Sequence, residues 1–280
     1  MKVLRDMDNG TTNIKKMGII KAFLVMLLSI LLEGLGQIPK EFLNLFVGRF
    51  QKALPYVIFG AGVLVKYYVI IVLLKCVSNK SNEQKHKNHL NLRSFVYAAL
   101  MIIAFRVLFD NSLTLWVSKI SMPEFINQAF EELAVSPIIL ILSVVVVAPI
   151  YEEIIFRGIL LKGMTKKINP TIALVISALF FALVHMNIPQ GVNAFLLGLV
   201  IGFIYLRTGS IYLSIFAHFV NNFMALTLSS MFTLIGGKYA VETHALFFIL
   251  GVILLVITCI GYKRNKIKHA SDIYKEFVEI

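Results

Sequence analysis

Charge is scarce in this sequence: only 15% of its 280 residues are Asp, Glu, Lys or Arg, against 58% hydrophobic, and the mean hydropathy is +0.82. So little charge excludes an ordinary soluble domain and places the chain in lipid. Cysteine is scarcer still. Cys76 and Cys259 are the only two, and each falls near the end of an apolar run on one predicted face, which excludes a disulfide framework. Lys2, Arg5, Lys15 and Lys16 precede an apolar stretch over 17–32, but no small-residue cleavage site of the A-x-A kind follows, so the stretch is read as an uncleaved first helix. Neither an internal repeat nor a low-complexity segment is present, and the inverted-repeat signature of many transporters is missing. The net charge of +12 forms no basic stripe; its Lys and Arg residues sit between the apolar runs, which argues for loops beside a membrane and against nucleic acid.

What the sequence has is apolar length. Eight continuous runs lie at about 17–32, 54–77, 94–118, 137–161, 170–186, 191–206, 210–232 and 245–262. Because they are continuous rather than alternating, a closed barrel is excluded and an all-α polytopic membrane bundle of about eight transmembrane helices is expected. Asn187–Gln190 and Arg207–Gly209 leave room only for tight turns, so helices five to seven pack as neighbours. With the N-terminus inside, 19 Lys and Arg fall in inner segments and 5 in outer ones. That asymmetry predicts both termini in the cytoplasm, and a bacterial cell membrane is the expected location. Residues 120–136 carry apolar side chains at helical spacing with acidic ones between, the pattern of a short helix on the outer surface. The expected organisation is 1–136 for the first three helices and this surface segment, 137–262 for a catalytic membrane core, and 263–280 for a basic cytoplasmic tail.

An ionisable side chain at mid-membrane costs about 2.5–3.5 kcal/mol on insertion scales, so each needs a partner or a purpose. The fourth run holds Glu152, Glu153 and Arg157. Glu153 and Arg157 are four apart and can pair, whereas Glu152 points about 100° away from Glu153 and is left for chemistry. A charged cluster fraying at the inner end of the helix is the competing reading. Pro149 just upstream should bend the helix and loosen its backbone. The fifth run places Phe181 and His185 one turn apart, either in a site or at the interface, and the seventh places His218 and Asn222 one turn apart, either in a site or as hydrogen-bonding glue between helices. Three neighbouring helices thus each offer a polar group, and together these make a hydrolytic site. Counting at 1.5 Å per residue puts Glu152 and His218 about 13–15 Å from the inner boundary and His185 deeper, at about 22 Å. Elsewhere Arg106 and Asp110 should form a buried i,i+4 pair, Lys66 needs a carboxylate the sequence does not identify, and Gly198 with Gly202 should let helix six pack closely.

In order along the chain, EEIIFR is similar to the motif Glu-Glu-x-x-x-Arg, FALVH to Phe-x-x-x-His, and HFVNN to His-x-x-x-Asn. These resemble the three motifs of the CPBP family of intramembrane proteases, which includes the CAAX prenyl endopeptidases and bacteriocin-processing or immunity proteins. The resemblance covers Glu152 to Asn222; the first 135 residues resemble nothing identified. It implies that Glu152 activates water, that Glu153 and Arg157 support that helix, that His185 assists the water or substrate, and that His218 and Asn222 stabilise the oxyanion. It further implies a substrate that is a membrane-associated or lipidated peptide or protein, with membrane lipid as the other partner. The family is often labelled metalloprotease, and Glu152, His185 and His218 are candidate zinc ligands, yet no His-Glu-x-x-His pair shares one helix and Asn222 suits an oxyanion donor better than a ligand. The expected mechanism has no cofactor, with zinc as the alternative. Two other functions compete with proteolysis: a non-catalytic scaffold, regulator or immunity protein that keeps the cluster to hold its helices, and a proton-coupled transporter.

Overall fold

The computed structural model of this chain describes residues 2–36, 53–80, 90–134, 136–235 and 240–264. Lys40, Arg49, Lys52, Lys85, Lys87, Lys238 and the tail beyond residue 264, all of which entered the charge count, lie outside the described residues.

Each of the eight apolar runs forms a helix. After a short α1 (Lys2–Asp8) come α2 (Ile19–Leu35), α3 (Leu54–Val77) and α4 (Leu92–Asp110), then the amphipathic α5 (Glu124–Ala134) at the place expected for a surface helix. A continuous α6 spans Pro137–Thr165, followed by α7 (Pro170–Leu183), α8 (Ile188–Thr208), α9 (Ile211–Ile235) and α10 (Ala240–Arg264). Among the described residues five of these, α3, α4, α6, α8 and α10, are long and apolar enough to cross a membrane; α7 and the described Ile211–Thr227 of α9 are apolar but shorter. The protein is therefore an all-α polytopic membrane bundle, with five helices among the described residues long and apolar enough to span it. Helix α4 stops at Asp110, short of the 118 expected, because Asn111 and Ser112 turn their side chains back onto the carbonyls of Val107 and Leu108.

Helix α6 forms the centre of the bundle, and every residue from Ile154 to Leu161 is buried. That is what a helix apolar on all sides requires. Around it, α7 and α8 lie close because α8 presents glycine: a Cβ on Gly198 would stand 3.0 Å from the Cβ of Ala178, and one on Gly202 would meet Leu174. Helices α3 and α10 keep broad apolar surfaces exposed, as lipid-facing helices do.

At one end, the N-terminal segment ties four parts of the chain together. β1 (Thr12–Ile14) pairs antiparallel with β2 (Ser78–Lys80), which follows α3. Lys166 after α6 donates to Asn13 Oδ1 at 2.7 Å and to the Ile14 carbonyl at 2.9 Å, and Asp8 Oδ1 accepts from Ser210 Oγ at 2.7 Å and from the Ile211 backbone N–H at 3.0 Å. The N-terminus and the ends of α3, α6 and α8 thus share one end of the bundle, as alternating spans demand.

Candidate active site

Proline sets the local geometry. Over Leu142–Val147 the backbone of α6 widens into π turns, in which each carbonyl accepts from the N–H five residues on; Ala148 N–H bonds to the Ser143 carbonyl. The next rung would join the Val144 carbonyl to residue 149, which is Pro149 and has no N–H. The orphaned Val144 carbonyl accepts instead from Asn222 Nδ2 at 2.9 Å, so the seventh apolar run is pinned to the fourth where the helix is interrupted. The second hydrogen on Asn222 Nδ2 stays available, while its Oδ1 accepts from Asn221 Nδ2 at 2.9 Å.

One turn beyond the proline, Glu153 lies fully buried and its Oε1 accepts from two side chains: Arg157 Nη1 at 2.8 Å within α6, and His218 Nδ1 at 2.8 Å from α9. Arg157, also buried, donates through Nη2 to the Gly198 carbonyl at 3.2 Å, which the close approach of α8 makes reachable. Glu152 points elsewhere. Its Oε2 stands 3.7 Å from His218 Nε2, beyond a hydrogen bond but within ion-pair reach, and its side chain keeps 24% of its exposure where those of Glu153, Arg157 and His218 keep 0%, 1% and 3%.

The structure thus brings Glu152, Glu153, Arg157 and His218 into one contact network. Phe181 connects the rest: the Arg157 guanidinium lies 4.8 Å over its ring, and the rings of His218 and His185 meet it edge-on at 5.7 and 5.0 Å between centroids. His185 is beside the cluster through Phe181 rather than hydrogen-bonded to it. It also falls outside the helix, because α7 ends at Leu183 and His185 lies in the turn that leads, through Met186 at φ +53°, to α8. A helix of 14 residues rises about 21 Å, so His185 stands just past the far end of α7, at the depth the count gives. Its Nδ1 lies 2.8 Å from the Phe181 carbonyl; since a carbonyl only accepts, Nδ1 is the donor.

Three contacts escaped the sequence reading. Glu153 meets His218 as well as Arg157. Asn221 is buried beside Asn222. Lys66 finds its carboxylate in Glu33 of α2, with its ammonium 4.4 Å over the ring of Tyr151. The signal that could have found Glu33 was its place just past the end of the first apolar run. Arg106 and Asp110 pair at 2.6 Å as their spacing predicts. A catalytic zinc takes three protein ligands, and no three His, Cys, Asp or Glu side chains gather in such a set among the described residues.

Residues 134–224, about a third of the chain, match the family described as Type II CAAX prenyl endopeptidase Rce1-like. The chain is also 28% identical over 155 residues to a Bacillus subtilis (strain 168) protein named "Putative membrane peptidase YdiL", a match that covers 55% of this chain and 64% of that protein. No solved structure matches. The matched segment runs from the start of α6 into α9 and holds all seven residues of the three motifs.

Proposed function

Proceeding from an Rce1-like CAAX protease core at residues 134–224, we propose that this protein is an intramembrane endopeptidase that cleaves a peptide bond in a membrane-associated or lipidated peptide or protein. The observation that carries this reading is the unequal treatment of two adjacent carboxylates. Glu153 is buried and held through Oε1 by both Arg157 and His218, whereas Glu152 is partly exposed and only approaches His218 Nε2 at 3.7 Å. Two carboxylates in such different surroundings take different roles.

Glu152 acts as the general base, accepting a proton from water and later returning it to the leaving amine. His218 donates to the oxyanion through Nε2. Because its Nδ1–H is committed to Glu153, an Nε2–H requires the imidazolium, and the Glu153 carboxylate is the counter-ion that supports it. Glu152, Glu153, Arg157 and His218 then sum to zero charge, which a low-dielectric site tolerates. Asn222 supplies its second amide hydrogen to the same oxyanion, and His185 Nε2 accepts from the water or the substrate amide. No step is routed through zinc, since the described side chains do not assemble a ligand set for it.

The test is hydrolysis of a membrane peptide by purified protein. His218→Ala and Asn222→Ala should each slow turnover by about 10²–10³, the loss typical of one oxyanion donor. Asn222→Ala should also lower stability, because it frees the Val144 carbonyl. In parallel, elemental analysis should find no stoichiometric zinc in the wild-type protein. Near-stoichiometric zinc that disappears in His185→Ala or His218→Ala would replace this mechanism with metal-bound water.

The same reading puts both termini in the cytoplasm of a bacterial cell. With Cys76 and Cys259 replaced, a cysteine at the exposed Lys167 should react with an impermeant thiol reagent only after cells are opened, and one at the exposed Gln128 should react in intact cells. The reverse pattern would invert the bundle and the side from which substrate arrives.

A further inference from the structure

Between α7 and α8 the chain turns sharply, and His185 sits in that turn. Where α7 stops, the backbone N–H of His185 bonds to the Ala182 carbonyl at 3.2 Å and that of Met186 to the Leu183 carbonyl at 3.2 Å, three residues back rather than four. The Phe181 carbonyl, which a continuing α-helix would pair with the N–H of His185, is thereby left to the His185 ring, whose Nδ1 donates to it at 2.8 Å. Ring placement therefore follows from the turn. Were α7 to run on through His185, the backbone of that residue would take the carbonyl and the ring would lose it.

The turn is not one that these residues adopt unaided. Met186 lies at φ +53°, in the left-handed region that a side chain with a Cβ rarely enters and that Gly, Asn or Asp visit far more readily. Packing does not hold it there, because Met186 is 62% exposed. A residue in such a region stays only where its surroundings over-determine it, and here the next residue does so. Asn187 Oδ1 accepts from the Gln190 backbone N–H at 2.9 Å and so caps α8; its Nδ2 donates back to the His185 carbonyl at 2.7 Å and also to Gln190 Oε1 at 2.7 Å. In a capping box the side chain three residues into the helix returns to the backbone of the cap, whereas that of Gln190 grips the amide of Asn187. A cap needs only the first of these three bonds. The other two commit both hydrogens of the amide, one of them to the residue just before the left-handed one.

We propose that Asn187 is a positioning residue: by clamping the His185 carbonyl to the start of α8 it holds Met186 left-handed, and so keeps the His185 ring on the Phe181 carbonyl beside Glu152, Glu153, Arg157 and His218. The clamp rests on the reading of His185 as a group that meets water or substrate. Asn187 itself meets neither, since its amide is fully committed to the turn.

The test separates the cap from the clamp with Asn187→Ser, because serine caps a helix as well as asparagine does but has no amide to reach His185. Full-length protein in detergent carries isotope-labelled nitrogens in its histidine rings, and the ring N–H resonance that disappears in His185→Ala reports the bond to Phe181. Asn187→Ser should keep a thermal midpoint near that of wild type, lose this resonance, and slow hydrolysis of a membrane peptide by on the order of 10², the loss that a displacement of about 1 Å can bring. In a His185→Ala background the same substitution should slow turnover no further. Glycine takes a positive φ without steric penalty, so Met186→Gly added to Asn187→Ser should restore the resonance and most of the rate. An Asn187→Ser protein with the resonance and rate of wild type would overturn the clamp. So would a loss that Met186→Gly fails to restore, since Asn187 would then act on substrate directly. A His185→Ala protein as fast as wild type would take His185 and Asn187 out of the reaction together while leaving Glu152 as its base. The resonance is read without turnover, so the clamp is decided even where no peptide is cleaved.

Discussion

Glu152→Gln should abolish detectable peptide hydrolysis while the protein inserts and folds as before. The substitution keeps the volume of the side chain and its capacity for hydrogen bonds but removes the carboxylate assigned to take the proton from water. A positioned general base contributes about 10²–10⁴ in rate, so a loss of at least about 10³ is expected in turnover by purified enzyme. Stability should change little, because Glu152 is partly exposed and its one close polar contact is the 3.7 Å approach to His218 Nε2. Thermal unfolding in detergent should therefore shift by less than the roughly 2–4 °C that 1 kcal/mol moves a chain of this size. The same substitution one residue later should behave differently: Glu153→Gln keeps a neutral acceptor but removes the counter-ion of both Arg157 and His218. A well-folded Glu152→Gln protein that turns over like wild type would assign the base elsewhere.

What the sequence made legible divides along the range of the contacts. Spacings of four on one helix were readable without a fold: Glu153 with Arg157, and Arg106 with Asp110, both appear as ion pairs. The eight apolar runs were equally readable, since every one is a helix. Ends and crossings were not. Helix α4 gave way to local side-chain bonds from Asn111 and Ser112, and α7 ended two residues before His185, which no apolar pattern marks. His218 could be placed on a face but not against Glu153, because that contact depends on how α6 and α9 cross. Pro149 signalled a loosened backbone; that the freed carbonyl would be Val144, and that Asn222 would satisfy it, follows only once the helix adopts π turns. The Lys66 carboxylate stayed hidden because Glu33 is 33 residues away, across a connection whose path no local rule predicts.

Arg157→Ala should cost the protein its fold as well as its activity. The guanidinium is 1% exposed and occupied on three sides: Nη1 donates to Glu153 Oε1, Nη2 donates to the Gly198 carbonyl, and its plane lies over Phe181. Removing it leaves Glu153, with no exposure at all, held by His218 alone, while the Gly198 carbonyl and one face of Phe181 lose their partner. Breaking a buried pair from one side costs about 3–5 kcal/mol, most of it from the charge left behind. The expected result is a large fall in the thermal midpoint in detergent, with loss of turnover in whatever protein remains folded. Because the penalty comes from the stranded carboxylate, adding Glu153→Gln to Arg157→Ala should recover part of the stability without recovering turnover, since His218 would still lack its counter-ion. Arg157→Lys should fall between, as a single ammonium cannot bridge Glu153 and Gly198 together in the geometry of the fork. An Arg157→Ala protein with wild-type stability would mean that the Glu153 carboxylate is not held as a buried charge, and the division of labour between Glu152 and Glu153 would have to be abandoned.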